Sequence, residues 1–130
     1  MYEVLIPVDQ NAERARGQVD YVTSRPGTEE ISATVLHVTP REESTSGKRS
    51  FEEVDAAVEA ADRLSEAGIT VDRVADVGTI TRKIEEHAEA ADAKEIVMSG
   101  RKRSGVEKVL VGSVTQDVIF TSDLPVIITG

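Results

Sequence analysis

Apolar positions in this chain fall into two kinds of stretch that alternate: short β-branched runs, and longer stretches in which apolar residues return every three or four positions. "EVLIPV", Glu3 to Val8, is of the first kind and predicts a buried strand, closed by Asp9, Gln10 and Asn11, which turn chains or cap helices. Ala12, Ala15, Val19 and Val22 then recur at helical spacing until Pro26 and Gly27 stop the helix. "ISATVLHV", Ile31 to Val38, predicts a second strand. Residues 39–50 are polar and charged without periodicity, and read as a mobile surface connection. Ser50 and Glu53 have the spacing of a capping box before the stripe Val54, Ala57, Val58, Ala61 and Leu64, and Gly68 fits the C′ place that ends that helix.

The third strand, Ile69 to Val77, is interrupted by charges, as suits the edge of a sheet. Thr79 is placed to cap a helix with the stripe Ile80, Ile84, Ala88 and Ala91, and "EIVMS", Glu95 to Ser99, is a fourth strand. Ser113 and Gln116 again have capping-box spacing, ahead of Val114, Val118 and Ile119; "PVIIT", Pro125 to Thr129, is the fifth strand. Strands regularly separated by helices require crossover connections. The expected fold is therefore α/β: one domain, an open five-stranded parallel sheet with helices on both faces.

Composition removes several functions. The chain has 130 residues and no cysteine, which excludes a disulfide framework, a thiolate nucleophile and a cysteine-ligated metal. His37 and His87 stand on different predicted elements and do not make a metal pair. No apolar run approaches the ~18 residues of a membrane span, and no basic leader precedes the first strand, so the expected location is the cytoplasm. A net charge of −9 at pH 7 argues against nucleic acid or an anionic membrane as partner. Spread acidity is the ordinary sign of a solvated surface; its sharper reading is adaptation to high intracellular salt.

Against that acidity, "GRKRSG" concentrates Arg101, Lys102 and Arg103 after the fourth strand. In an open parallel sheet, ligands bind beyond the carboxyl ends of the strands. Pro7, Val8 and Asp9, then His37 and Val38, then Met98, Ser99 and Gly100 reach that end. A helix starting at Gly112–Ser113–Val114 would expose N–H groups and partial positive charge, enough to hold a phosphate, with the basic run alongside. The same Gly–Ser pair is also an ordinary helix start, and the basic run an ordinary solvated turn. Asp9 reads either as a cap or as an acceptor for nucleoside hydroxyls or an amino group; His37 reads as satisfied by backbone. No nucleophile–base set appears, which leaves catalysis without support.

Taken together, "EVLIPVDQ", "VLHV", the stretch from "DVGTITRKIEEHAEA" through "VMSGRKRSGVEKVLVGSVTQD", and the closing "LPVIIT" resemble the universal stress protein family along the whole chain. The resemblance implies a Rossmann-like, adenine nucleotide alpha hydrolase-like domain over residues 1–130 with strand order 3-2-1-4-5. It also implies a homodimer formed through the last strand and a role in the stress response. Members divide into those that bind ATP and those that do not, and the binding motif is G-x-x-G-x9-G-[S/T]. Its last pair falls on Gly112 and Ser113 and its spacer on residues 103–111, whereas its first two glycines fall on Ser99 and Lys102. By resemblance Pro7, Val8 and Asp9 border the adenosine and Val38 meets adenine through its backbone. Met98, Ser99, Gly100, Arg101, Lys102, Arg103, Ser104, Gly112, Ser113 and Val114 line the phosphates of ATP, which Mg would accompany. The expectation is an ATP-binding dimeric regulator and not an enzyme. The alternatives are a non-binding dimeric interaction module and a weak ATPase in which Asp9 is the base.

Overall fold

The computed structural model describes residues 1–41, 49–102 and 109–130. Five parallel strands form the sheet: β1 (Tyr2–Pro7), β2 (Ile31–Pro40), β3 (Thr70–Gly78), β4 (Glu95–Ser99) and, last in the chain, β7 (Val126–Thr129). Their order is β3-β2-β1-β4-β7, so the direction of winding reverses between β1 and β4. Counting only these five strands, this is the expected 3-2-1-4-5 order, with the charged strand β3 at one edge. β5 (Arg101–Lys102) and β6 (Val109–Leu110) pair antiparallel in a two-stranded ribbon of their own.

Alternation along each strand sorts side chains to two faces. Val4 and Ile6 of β1 with Ala33 and Val35 of β2 pack under α1 (Ala12–Thr23) and α2 (Asp55–Glu66). Leu5, Leu36, Ile96 and Met98 pack under α3 (Ile80–Ala90) and α4 (Ser113–Thr121). The central strands β1, β2 and β4 are buried on both faces, hence their nearly continuous apolar sequence. Among the described residues, no helix is long and apolar enough to cross a membrane.

Local signals mostly act where the sequence puts them. Asn11 caps α1, its side chain accepting from Arg14 N–H at 2.9 Å. Gly68 has φ +88°, the left-handed backbone that glycine adopts with least strain after a helix. The Ser50–Glu53 box forms, with Ser50 N–H and hydroxyl reaching Glu53 Oε1 at 3.2 and 2.9 Å. It closes a 3-10 turn, Phe51–Glu53, and α2 starts only after it, at Asp55. The second box does not form. Gly112, not Ser113, is the N-cap of α4, which puts Gln116 one place too deep. Its side-chain amide donates instead to Val111 O at 3.1 Å. The predicted connection at 39–50 begins as strand, with Thr39 and Pro40 completing β2; residues 42–48 lie outside the described residues.

Candidate functional site

β1 and β2 lead to helices on one face and β4 leads towards α4 on the other. A crevice therefore opens at the strand ends where the winding reverses. It is a cleft of about 460 Å3 lined by residues from all three strand ends, α3 and the start of α4. That volume lies in the range of small-molecule sites. Of the residues expected there, Pro7, Val8, Asp9, Val38, Met98, Ser99, Gly112, Ser113 and Val114 all line it. Gly100 is buried behind the lining, with its N–H bonded to Thr129 O. Arg101 and Lys102 continue from it as β5. Arg103 and Ser104 lie outside the described residues.

The start of α4 has no side-chain cap, because the serine that would provide one sits inside the first turn. Its first-turn N–H groups and the positive end of the helix dipole therefore face the cleft unopposed by a side-chain acceptor. Gly112 has φ −73°, an extended backbone open to any residue, and among the described residues a Cβ added there would meet nothing within 4 Å. This glycine is not needed to relieve strain. What its missing side chain provides is room in front of the helix.

Asp9 is more engaged than its place at a strand end implies. Oδ1 accepts from Asn11 N–H at 2.8 Å, and Oδ2 accepts from Arg14 Nε and Nη2 at 3.0 and 2.9 Å. It braces the turn before α1 while Asn11 caps the helix. Arg14 itself lines the cleft and brings a cation that sequence reasoning placed only in the 101–103 run. The signal was available: a residue in the first turn of α1, just past its cap, lies beside the strand end that precedes it.

His37 also lines the cleft, 4% exposed, with Nδ1 at 2.9 Å from Val8 O. A carbonyl only accepts, so Nδ1 carries the proton. Nε2 is buried and among the described residues has no hydrogen-bond partner, so the expectation that backbone satisfies this histidine holds for one nitrogen only. Leu36, Pro40, Ile80 and Ile84 give the cleft an apolar wall that sequence reasoning did not assign to the site. Thr115 and Gln10 complete it, Thr115 by donating to Ser99 O at 3.4 Å. Among the described residues, no group of three or more His, Asp or Glu side chains could hold a metal ion.

Comparison with known proteins agrees with this fold. The chain is similar to a universal stress protein of Archaeoglobus fulgidus, with TM-score 0.77, 24% identity and coverage of 100% of this chain and 99% of that one. It is similar to the universal stress protein from Archaeoglobus fulgidus in complex with dAMP, with TM-score 0.74, 21% identity and coverage of 100% and 98%. A universal stress protein in complex with cAMP aligns with TM-score 0.69 at 20% identity over 98% and 95% of the two chains. At such identities the likeness establishes the fold. A search among curated proteins gave no sequence match. A profile of the universal stress protein family matches residues 1–130, and the chain belongs to that family.

Proposed function

We propose that this protein binds an adenine nucleotide, with ATP as the expected ligand, in the cleft where the sheet reverses, and that it acts as a dimeric stress-response regulator. The observation that carries the reading is the N-terminus of α4, open to the cleft without a side-chain cap and, among the described residues, with nothing in front of Gly112. Phosphate oxygens suit such a terminus, which supplies several N–H donors and a partial positive charge. The apolar wall from Leu36, Val38 and Ile80 suits a base, and Val8 and Asp9 stand where a ribose would bridge the two. Two similar structures hold dAMP and cAMP, which combine the same chemical parts. Asp9 is the only carboxylate among the described lining residues, and its oxygens already accept from Arg14 and Asn11. That makes it a poor base for hydrolysis, and binding without turnover is the expected activity.

Isothermal titration of ATP, AMP and adenosine tests the assignment. Gly112→Val should cost ATP at least tenfold in affinity and Ser113→Ala less, with adenosine little changed. Asp9→Ala should weaken all three. Lys102→Glu should weaken ATP by a factor that shrinks as salt rises, whereas the steric loss at Gly112 should not. A wild type that binds none of these ligands at millimolar concentration would reject the reading in favour of a non-binding interaction module.

A further inference from the structure

Gln18 stands in the apolar stripe of α1 with Ala15, Val19 and Val22, and is 1% exposed. A buried amide must find acceptors for both its N–H groups. Its Nε2 lies 2.6 Å from Pro7 O and 2.8 Å from Val97 O. Since carbonyl oxygens only accept, the NH2 end must face them, one N–H to each.

Those carbonyls belong to neighbouring strands at the place where they stop pairing. The β1–β4 register contains only Val4 with Glu95 and Leu5 with Ile96. Val8 N–H turns to β2, bonding Leu36 O at 2.8 Å; Ile96 and Gly100 N–H turn to β7, bonding Pro125 O and Thr129 O. Successive peptide groups along a strand point to opposite sides, so Pro7 and Val97 face each other across the β1–β4 seam. The next rung of the ladder would need an N–H at position 7, and proline has none.

We infer that Pro7 and Gln18 together set the opening of the nucleotide cleft, with Gln18 as a positioning residue; the inference rests on the nucleotide reading above. Pro7 breaks the ladder. Gln18 reaches from α1 and holds the two strand ends at the span of a side-chain amide. The walls so positioned are Val8 and Asp9 on one side and Ser99 with the start of α4 on the other. A ligand touching both walls depends on their spacing, whereas one touching a single wall does not.

AMP, adenosine and inorganic pyrophosphate make that distinction, measured by titration on wild type and Gln18→Met, which keeps side-chain volume and removes both donors. AMP should lose at least tenfold in affinity, with adenosine and pyrophosphate each within twofold. A merely structural role would weaken all three alike, and that result, or an unchanged AMP affinity, overturns the inference. Should Gln18→Met not fold, Gln18→Asn, whose amide falls one carbon short, serves the same comparison. In unliganded wild type, the Gln18 side-chain amide protons should exchange with solvent at least a hundredfold more slowly than those of Gln10 and Gln116. Equal rates would overturn the clamp. If wild type binds no AMP but Gln18 exchange is slow, the nucleotide reading fails and the clamp between the strands stands.

Discussion

Gly78 ends β3 with φ +146°, and the space its missing side chain leaves is used by Lys83, whose Cε would lie 3.0 Å from a Cβ built there. The lysine stem lies over the strand end and brings Nζ to 3.6 Å from Asp76. His87 Nε2 lies 2.8 Å from the same carboxylate, and Val77 N–H donates to its other oxygen at 2.8 Å. Burial raises the pKa of Asp76, but the bonds from His87 and Val77 and the charge of Lys83 outweigh it and hold the carboxyl below the ordinary aspartate range. A carboxyl depressed in the folded state stabilises the fold above its unfolded pKa, and that contribution is lost as pH falls through the folded pKa. Asp76→Asn should therefore cost about 0.5–1 kcal/mol at pH 7, the scale of a partly exposed pair. It should also flatten the acid limb of stability below about pH 4. Urea melts at pH 7 and pH 3 check both: an equal loss at the two pH values would mean that the side chain acts by packing and not by charge. In the sequence His87 stands among Glu85, Glu86 and Glu89. Its partner comes from a neighbouring strand, and no helical spacing reveals that.

At the scale of elements, the five strands and four helices were legible because each needs burial on a known side. Strands buried on both faces must be apolar throughout, and helices covering them must carry a stripe. β5 and β6 were not legible, being two residues each and set by pairing with one another. Gln18 was half legible: Ala15, Val19 and Val22 define the buried face, and position 18 falls on it, so a polar residue there signals a required partner. What spacing could not supply was the identity of that partner, a pair of carbonyls on two strands. The C-terminal edge carries an element-scale prediction. Among the described residues β7 pairs only with β4, its residues are partly exposed, and Ile119 and Phe120 on the adjoining α4 are 41% and 84% exposed. An open edge beside apolar surface is a pairing site, and a two-fold axis satisfies both copies at once. Light scattering at micromolar concentration should give twice the chain mass. Ile127→Lys should give monomer, but Ile127 also packs against the core, so Phe120→Asp is needed as a change confined to the surface. A dimer that survives both places the contact elsewhere.

For the molecule as a whole, charge works through two opposed effects. Many of the cations are committed to pairs: Arg14 with Asp9, Arg16 with Glu59, Arg73 with Asp62, Lys83 with Glu86, and the half-buried Arg25 with the buried Glu95. Each exposed pair contributes little to stability and weakens with salt. The net charge of −9 acts the other way, because the excess carboxylates repel one another across the surface and salt relieves that repulsion. Which effect wins is a matter of range. Paired atoms sit within 4 Å, well inside the ~10 Å screening length at 0.1 M salt and comparable with the ~3 Å length at 1 M, so the pairs weaken mainly towards the top of that interval. Repulsion between carboxylates on different elements acts over longer distances and is largely removed across that same interval. The midpoint of thermal unfolding should therefore rise steadily from 0.1 M to 1 M KCl, by several degrees for a chain of this size. Chloride is the right anion, because sulfate strengthens apolar burial in any protein and would raise the midpoint for an unrelated reason. Replacing exposed, like-charged neighbours such as Glu29 and Glu30 with glutamine should reproduce part of the rise at low salt and reduce the remaining salt response. A flat or falling series would show that the paired charges dominate, and would remove adaptation to high salt as the reason for the acidic surface.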